Sequence, residues 1–443
     1  MTRPLEAGLL AAVSEAVEAQ LGLHYPRERW ADLERGLRGA AAELGFADVE
    51  ECARALAFAA LGRLQIEALV AQLTIGETYF FRDPAVFKAL ATHVFPALTR
   101  ERAGRAKRLR IWSAGCCTGE EPYSLAIALR EAVPDIDAWQ VTILATDINP
   151  RFLHTAVAGV YGPWSFRGVP EERRSAWFRP AADGRFEVVP EVRRMVTFAC
   201  LNLVEDVWPS LVTGTNAMDL IFCRNVLMYF APERIRQVVA GFHAALVPGG
   251  RLNVSPTDAP RELFTGFLPP EIPGVTMYRK GVPPAPPARP APAVPPVPAR
   301  RPAPVAPPLP AAPRDHAAEA RQLANEGRLT AALAACDRAL AANRLAPAHH
   351  YLRGIILQEQ DAAADAAKAL RRALYLDPDF ALAHFTLGHL LLRQGRRADA
   401  VRSFANARAL LRACAPETLP PESEGLTAGR LLAILTSMEE ALA

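Results

Sequence analysis

The stretch LRIWSAGCCTGEEPYSLAIAL at residues 109–129 limits the possible fold more than any other part of the chain. It starts as a short apolar strand through Leu109, Ile111 and Trp112, breaks at Ser113, Ala114 and Gly115, and resumes after Pro122 with Leu125, Ile127, Ala128 and Leu129 at helical spacing. Strand, small-residue turn and helix in that order make the first unit of an open α/β sheet, where ligands bind outside the carboxyl ends of the strands and face a helix amino terminus. Gly115 and Gly119 lack a β-carbon and let a ligand approach the backbone. The dinucleotide pattern Gly-x-Gly-x-x-Gly is absent, Cys116 and Cys117 fill the loop, and Glu120 and Glu121 would repel a pyrophosphate. A cationic ligand with an amino group, such as S-adenosylmethionine (SAM), suits the two glutamates better. A strand-to-helix turn that binds nothing has the same outline.

With 443 residues the chain can hold two or more domains. Lys and Arg number 50 against 47 Asp and Glu, a balance that gives no general case for nucleic acid or an anionic membrane as partner. The 7 cysteines are scattered, with neither a Cys-x-x-Cys pair nor a zinc-like His spacing. No metal site is expected, and a reduced, cytoplasmic setting is the simpler one. No apolar run nears the roughly 20 residues that span a bilayer, so neither an export signal nor membrane insertion is expected.

Residues 1–73 read as helices only, a small N-terminal helical domain. Its apolar repeats are Leu9, Leu10, Val13 and Val17, then Trp30, Leu33 and Leu37, then Leu61, Leu64, Ile66, Leu69 and Leu73. Arg27, Arg29, Arg35 and Arg38 put positive charge on the second helix, but Glu28, Asp32 and Glu34 interrupt it, as on a solvated mixed face. TIGETYFFRD at 74–83 follows, with a flexible glycine, hydroxyls, three aromatics and Arg82. The aromatics can wall an adenine or exclude water, and the planar, permanently charged Arg82 suits a carboxylate. Asp83 and Pro84 also read as the start of a helix from Ala85.

A second strand at 141–145 leads to Asp147, placed to accept both hydroxyls of a ribose or to cap the next helix. Residues 158–200 interrupt the alternation: a short helix at 171–178, then the Asp183-Gly184 turn between candidate strands at 185–189 and 195–198, a small antiparallel insertion. The core resumes with Leu201, Asn202 and Leu203, a strand at 218–223, then Arg224, Asn225 and Tyr229, which would face the crevice of Gly115 and Asp147. Tyr229 also fits core packing. A helix from Pro232 and a turn at 247–252 into a late strand complete this part.

The motifs TIGETYFFRD, WSAGCCTGEEPYSLAIAL, ATDINP, the Asn202-Leu203 pair and IFCRNVLMYF, in this order, resemble those of the CheR-type chemoreceptor glutamate methyltransferases over residues 5–280. The resemblance implies SAM as cofactor, leaving as S-adenosylhomocysteine (SAH), in contact with Gly76, Thr78, Arg82, Glu121, Asp147, Asn202, Leu203, Arg224 and Asn225. It implies that Arg82 and Tyr229 flank the reacting carboxylate as catalytic residues, that a chemoreceptor's cytoplasmic domain is the substrate, and that the insertion docks on receptors. Two features depart from the family pattern. Gly76 stands where relatives can carry Asn, which removes one hydrogen bond, and the helix around Arg35 and Arg38 is less basic than in relatives that grip receptor helices with it.

Residues 281–313 are mostly Pro, Ala and Val, a composition that forms an extended, semi-rigid spacer and buries no core. Beyond it Ala320, Gly354 and Gly388 follow one another at steps of 34 residues, as do Ala332, Ala366 and Ala400, then Cys336, Leu370 and Phe404, then Ala339, Ala373 and Ala407. That is the signature of three tetratricopeptide repeats in 314–443, with 431–438 as a cap and an unidentified protein partner on the concave face. A spacer of this kind predicts that a chain stopped near Lys280 folds alone and that the array acts as a tether.

The expected architecture is α/β. A Rossmann-like SAM-dependent methyltransferase domain at 74–280, with a small antiparallel β insertion, follows the N-terminal helical domain and precedes a proline-rich linker and an all-α tetratricopeptide array. The expected reaction is methyl transfer from SAM to glutamate side chains of a chemoreceptor. The missing third glycine and the glutamate pair disfavour a nicotinamide oxidoreductase. The alternative is a SAM-binding, catalytically weak scaffold acting through its array.

Overall fold

The computed structural model describes residues 5–58, 62–102, 107–281 and 315–440. Leu61 and residues 282–313 of the proline-rich spacer lie outside the described residues.

Four helices open the chain: α1 (Ala7–Leu21), α2 (Trp30–Leu44), α3 (Val49–Phe58) and α4 (Arg63–Leu73). Val13, Val17, Leu33, Leu37, Leu56 and Leu69 bury one face of each against the others, as their spacing requires. Leu64 departs from its expected role, since at the first turn of α4 it is 74% exposed. After α5 (Pro84–Ala89), one π-helical turn at Leu90–Val94 and α6 (Phe95–Arg102), the main sheet begins.

Its elements are β1 (Arg108–Ala114), α7 (Glu120–Ala132), β2 (Gln140–Asp147) and α8 (Pro150–Ala158). Next come β3 (Val160–Tyr161), α9 (Glu171–Trp177), β4 (Phe178–Pro180) and β5 (Phe186–Val188), then α10 (Pro190–Arg193) and β6 (Val196–Cys200). The domain closes with β7 (Met218–Cys223), α11 (Pro232–Ala245), β8 (Leu246–Val254), β9 (Phe267–Leu268) and β10 (Met277–Lys280). The 7-stranded sheet runs β6-β2-β1-β7-β8-β10-β9. β6, β2, β1, β7 and β8 are parallel to one another, and β10 pairs antiparallel with β8 on one side and β9 on the other. Helices cover both faces, so β1 and β7 are buried almost throughout.

Two boundaries differ from the expectation. The antiparallel insertion is the 3-stranded sheet β3-β5-β4 and ends before residue 195. The stretch expected to be its last strand is β6, the parallel edge strand of the main sheet, with Val196 opposite Ile143 and Cys200 opposite Asp147. A short apolar run fits either sheet, and only pairing decides. The glycines at 249–250 do not end a turn before a separate strand; they sit inside β8, where the register against β7 shifts between Met218 and Leu220.

The C-terminal region is an all-α array of helix pairs: α12 (His316–Asn325) with α13 (Leu329–Ala342), α14 (Pro347–Glu359) with α15 (Ala363–Leu376), and α16 (Ala381–Arg393) with α17 (Arg397–Arg412), closed by α18 (Ala428–Glu440). Close packing within each pair explains the small residues: a β-carbon on Gly354 would come 2.8 Å from Leu370, and one on Gly388 2.6 Å from Phe404.

The array is not held at a distance. Leu211 of the loop between β6 and β7 is part of its apolar core. Glu424 accepts hydrogen bonds from Ser210 Oγ at 2.7 Å and from the Leu211 N–H at 2.8 Å. Glu359, at the end of α14, pairs with both Arg108 and Arg110 of β1, and Arg110 Nη1 lies 2.6 Å away. Burial alone would raise the Glu359 pKa, but the two guanidiniums outweigh it and hold the carboxyl below its ordinary value. The expectation of an independent tether is thereby corrected, because composition reveals a spacer but not what the segments on either side of it touch. Glu359→Ala, which leaves two arginines without their shared carboxylate, is expected to lower unfolding stability by about 3 kcal/mol. The contribution of Glu359 is fully present above its unfolded pKa, roughly 4.3, and is lost as pH falls through the lower folded value. Denaturant unfolding at neutral and acid pH checks both expectations; an unchanged neutral-pH midpoint in the variant would show that the pair does not contribute.

Candidate active site

At the carboxyl ends of β1, β2, β6 and β7 lies a cleft of ≈ 1080 Å³, open mouth included. The turn after β1 forms its floor. Gly115 has φ 83° and Gly119, at the head of α7, φ 96°. A β-carbon on Gly115 would meet Val226 at 2.3 Å and one on Gly119 would meet Ala156 and Tyr161 at 2.8 Å, so both glycines are needed for conformation and for space.

Asp147 ends β2 and is buried. Its Oδ2 accepts the Cys117 N–H at 2.8 Å and its Oδ1 the Asn149 N–H at 2.9 Å. The helix-cap role belongs to Asn149 instead, whose side chain accepts from the Arg151 N–H at 2.9 Å and donates to Thr74 Oγ1 at 2.9 Å. Each Asp147 oxygen keeps acceptor capacity toward the cleft. Burial pushes its pKa up to about 6, against the lowering effect of the backbone donors.

The two glutamates of the turn separate. Glu121 lines the cleft and accepts from Ser113 Oγ at 2.7 Å; burial raises its pKa, countered by Ser113, Arg224 and Arg82. Glu120 turns toward the insertion, accepting from Thr118 Oγ1 at 2.6 Å and Ser165 Oγ at 2.9 Å. Helical geometry sends neighbouring side chains to different faces, so one carboxylate meets a ligand and not two.

Thr78, Arg82, Glu121, Asp147, Asn202, Leu203, Arg224, Asn225 and Tyr229 all line this one cleft. Gly76 stands just behind it, where a β-carbon would come 2.9 Å from the Phe152 ring and 3.7 Å from Cys117 Sγ. Phe152 lines the cleft in the space a larger residue at 76 would need. Arg82 donates to the Glu77 carbonyl at 2.6 Å. Of the three aromatics, only Tyr79 reaches the cleft. Phe80 packs on Tyr161, Phe166 and Phe178 of the insertion, and Phe81 on Phe87. Asp83 does not cap α5 with its side chain; at φ 71° it turns its carboxylate to Arg224 Nη2 at 2.9 Å. Asn253 Oδ1 accepts from Arg224 Nη1 at 3.1 Å.

The sequence reading missed three parts of the site. Leu21 and Leu23 bring the N-terminal helical domain into the wall, which no local pattern signals. Phe152 lies two residues beyond ATDINP but reads as an ordinary helix residue. Asp258 gathers the backbone N–H groups of Ser255, Asn225, Val226 and Leu227 at 2.6, 2.9, 2.8 and 3.1 Å, holding Asn225 at φ 57°. Its signal was the short SPTD run after the last parallel strand.

A parallel sheet in this order, with a glycine turn, a buried acid ending the second strand and a carboxylate at the helix head, defines the Rossmann-like methyltransferase class. Residues 76–261 match the family model "CheR methyltransferase, SAM binding domain". A probable biofilm formation methyltransferase, WspC, of Pseudomonas aeruginosa is 32% identical over 364 residues, covering 76% of this chain and 84% of that protein. Chemotaxis protein methyltransferase 1 of the same organism is 39% identical over 198 residues, 44% of this chain and 69% of the relative. Chemotaxis protein methyltransferase 2 of Vibrio cholerae is 36% identical over 197 residues, 44% of this chain and 66% of the relative. The chain belongs to the CheR methyltransferase family, and SAM is its cofactor. Among the described residues no helix is long and apolar enough to cross a membrane.

A ribose bound here would bring hydroxyl donors, which would favour the ionised form of Asp147. SAH affinity is therefore expected to rise with pH up to about 6 and to level off above it. Asp147→Asn should flatten that profile, and Asp147→Ala should weaken binding by about 1 to 3 kcal/mol. Calorimetric titration of SAH between acid and neutral pH checks this; a wild-type profile without slope would remove Asp147 from the ribose site.

Proposed function

We propose that this methyltransferase, working in the cytoplasm, modifies glutamate side chains on the cytoplasmic domain of a chemoreceptor, with Arg82 and Tyr229 as its catalytic residues. The observation that carries the proposal is the meeting, in one cleft, of a buried ribose-type acid, a half-buried carboxylate for a cationic ligand, and an arginine with a tyrosine. When bound, SAM supplies an electrophilic methyl group on a positively charged sulfur.

The rest is the work of the chain's own side chains. Asp147 would accept the ribose hydroxyls, and Glu121, with Arg224 fixed beside it by Asp83 and Asn253, would hold the charged amino-acid end. Thr78, Asn202, Leu203 and Asn225 would complete the cofactor wall, with Gly76 behind it. A glutamate acceptor is already ionised at neutral pH, so no strong base is required. What remains is to orient the acceptor carboxylate and exclude water. Arg82 offers it a charged fork and Tyr229 a hydroxyl donor. Burial raises the Tyr229 pKa, with Arg29 and Arg82 pulling it down, which keeps the phenol protonated as a donor at neutral pH.

Gly76 gives no support to a scaffold without catalysis, because the Phe152 ring takes up the space beside it. The antiparallel insertion, joined to the site through Phe80 and through Arg167 at 3.9 Å over the Tyr79 ring, is the assigned receptor-docking element. The 34-residue period supports a tetratricopeptide array, with a partner protein as its ligand.

Tyr229→Phe is expected to lower turnover by about ten- to a hundredfold, with SAH affinity nearly intact. Its backbone carbonyl still accepts from the His24 N–H at 2.8 Å, so the fold contact survives. Methyl-label transfer to the host's receptors, alongside SAH titration, separates the two effects; loss of SAH binding would make Tyr229 a structural residue, and no labelled receptor would remove the substrate assignment.

A further inference from the structure

We propose that Arg430, in the last helix of the array, is a positioning residue for the cofactor site: it fixes the turn carrying Asn202 and Leu203 by holding Asp206. This rests on the assignment of Asn202 and Leu203 to the cofactor wall.

β6 is an edge strand, and the turn that leaves it closes on itself. Asp206 Oδ2 accepts the Asn202 N–H at 2.6 Å, and the Asp206 N–H donates to the Asn202 carbonyl at 3.0 Å. The same carboxylate receives Arg430 Nη2 at 2.6 Å, with Nε 2.6 Å from its other oxygen. Arg430 Nη2 also donates to the carbonyl of Cys200, the last residue of β6, at 3.0 Å. One guanidinium thus ties the strand end to the turn's closing residue. The Asp206 side chain is only 9% exposed, and Arg430 is its one charged partner among the described ion pairs. Removing the guanidinium leaves a desolvated carboxylate held by backbone alone and frees the turn to open toward water.

Arg430 belongs to the array and not to the catalytic domain. Ala428, Leu431 and Leu435 of the same helix are fully buried in the array's apolar core, so its place is set by the packing of the helix pairs. Packing in the array is thereby linked to the shape of the cofactor wall. Arg430 does not itself line the cleft, and its side chain's hydrogen-bond partners are the Cys200 carbonyl and Asp206, so its loss acts on cofactor affinity and leaves the rate at saturation alone.

The test uses the full-length chain, SAH titration and steady-state kinetics. Arg430→Met is expected to weaken SAH roughly tenfold, the size of coupling within one hydrogen-bonded network, and to raise KM for SAM by the same factor with kcat unchanged. Arg430→Lys should restore part of the affinity. In an Asp206→Asn background Arg430→Met should add little further loss. Unchanged SAH affinity in Arg430→Met, or fully additive losses in the double variant, overturns the proposal. Should Arg430→Met fail to fold, Asp206→Asn alone carries the same expectation, and wild-type affinity there overturns it equally. Asn202→Ala separates the two levels: if it leaves SAH affinity intact, the cofactor-wall assignment fails, whereas if it weakens SAH while Arg430→Met does not, only the brace fails.

Discussion

β1 pairs in parallel with β2 on one side and β7 on the other, in register from Arg108 opposite Gln140 to Ser113 opposite Phe222. Parallel strands leave the sheet in the same direction, so the turns after Ala114, Asp147 and Cys223 open on one edge. Gly115, Asp147 and Arg224, far apart in the chain, become neighbours for that reason alone. The opposite end of β1 has a second task. Its Arg110 N–H donates to Asp219 of β7 at 2.9 Å, while the Arg110 and Arg108 side chains reach Glu359 of the array. One buried strand therefore carries a turn of the cleft at its end and the array's anchor at its beginning.

Around the cleft, loops are held by carboxylates that gather backbone donors. Asp147 takes two N–H groups, Asp258 takes four, and Asp206 takes one together with a guanidinium. Each replaces a ladder bond that an irregular segment cannot make, and fixes a backbone shape that the residue types alone would not choose. Phe81, Asp83, Cys117 and Asn225 all have positive φ here, at 58°, 71°, 50° and 57°. Non-glycine residues persist in that region only where their surroundings overdetermine them, and such positions gather at functional sites.

Burial is what gives the site its electrostatic character. Asp147 and Glu121 both lie where desolvation raises a carboxyl pKa, and both are met by hydrogen-bond donors or guanidiniums that favour the charged form. A site of this kind prefers a ligand that brings hydroxyls and a positive charge. In the same way Glu359 is worth burying only because Arg108 and Arg110 flank it, which makes the docked array depend on pairing as well as on apolar contact.

Much of this was legible in the sequence because it depends on local pattern. The strand-turn-helix at 109–129 follows from apolar spacing and two glycines, β7 begins and ends where its apolar run does, and the 34-residue step recurs in the first residues of α13, α15 and α17, Leu329, Ala363 and Arg397. Asp147, Asn202, Leu203, Arg224 and Asn225 line one cleft because each ends or follows a parallel strand, a position that the sheet converts into proximity. Tertiary structure alone decided the rest. The partner of β6 and the wall made by Leu21 and Leu23 depend on contacts between segments with no shared local signal. The docking of the array is the plainest case: Glu359 and Arg430 are ordinary charged residues on helices, and only the packing of two distant regions places them against β1 and the turn after β6. Local propensity depends on nearest neighbours in the chain, whereas burial and pairing depend on which surfaces meet in space.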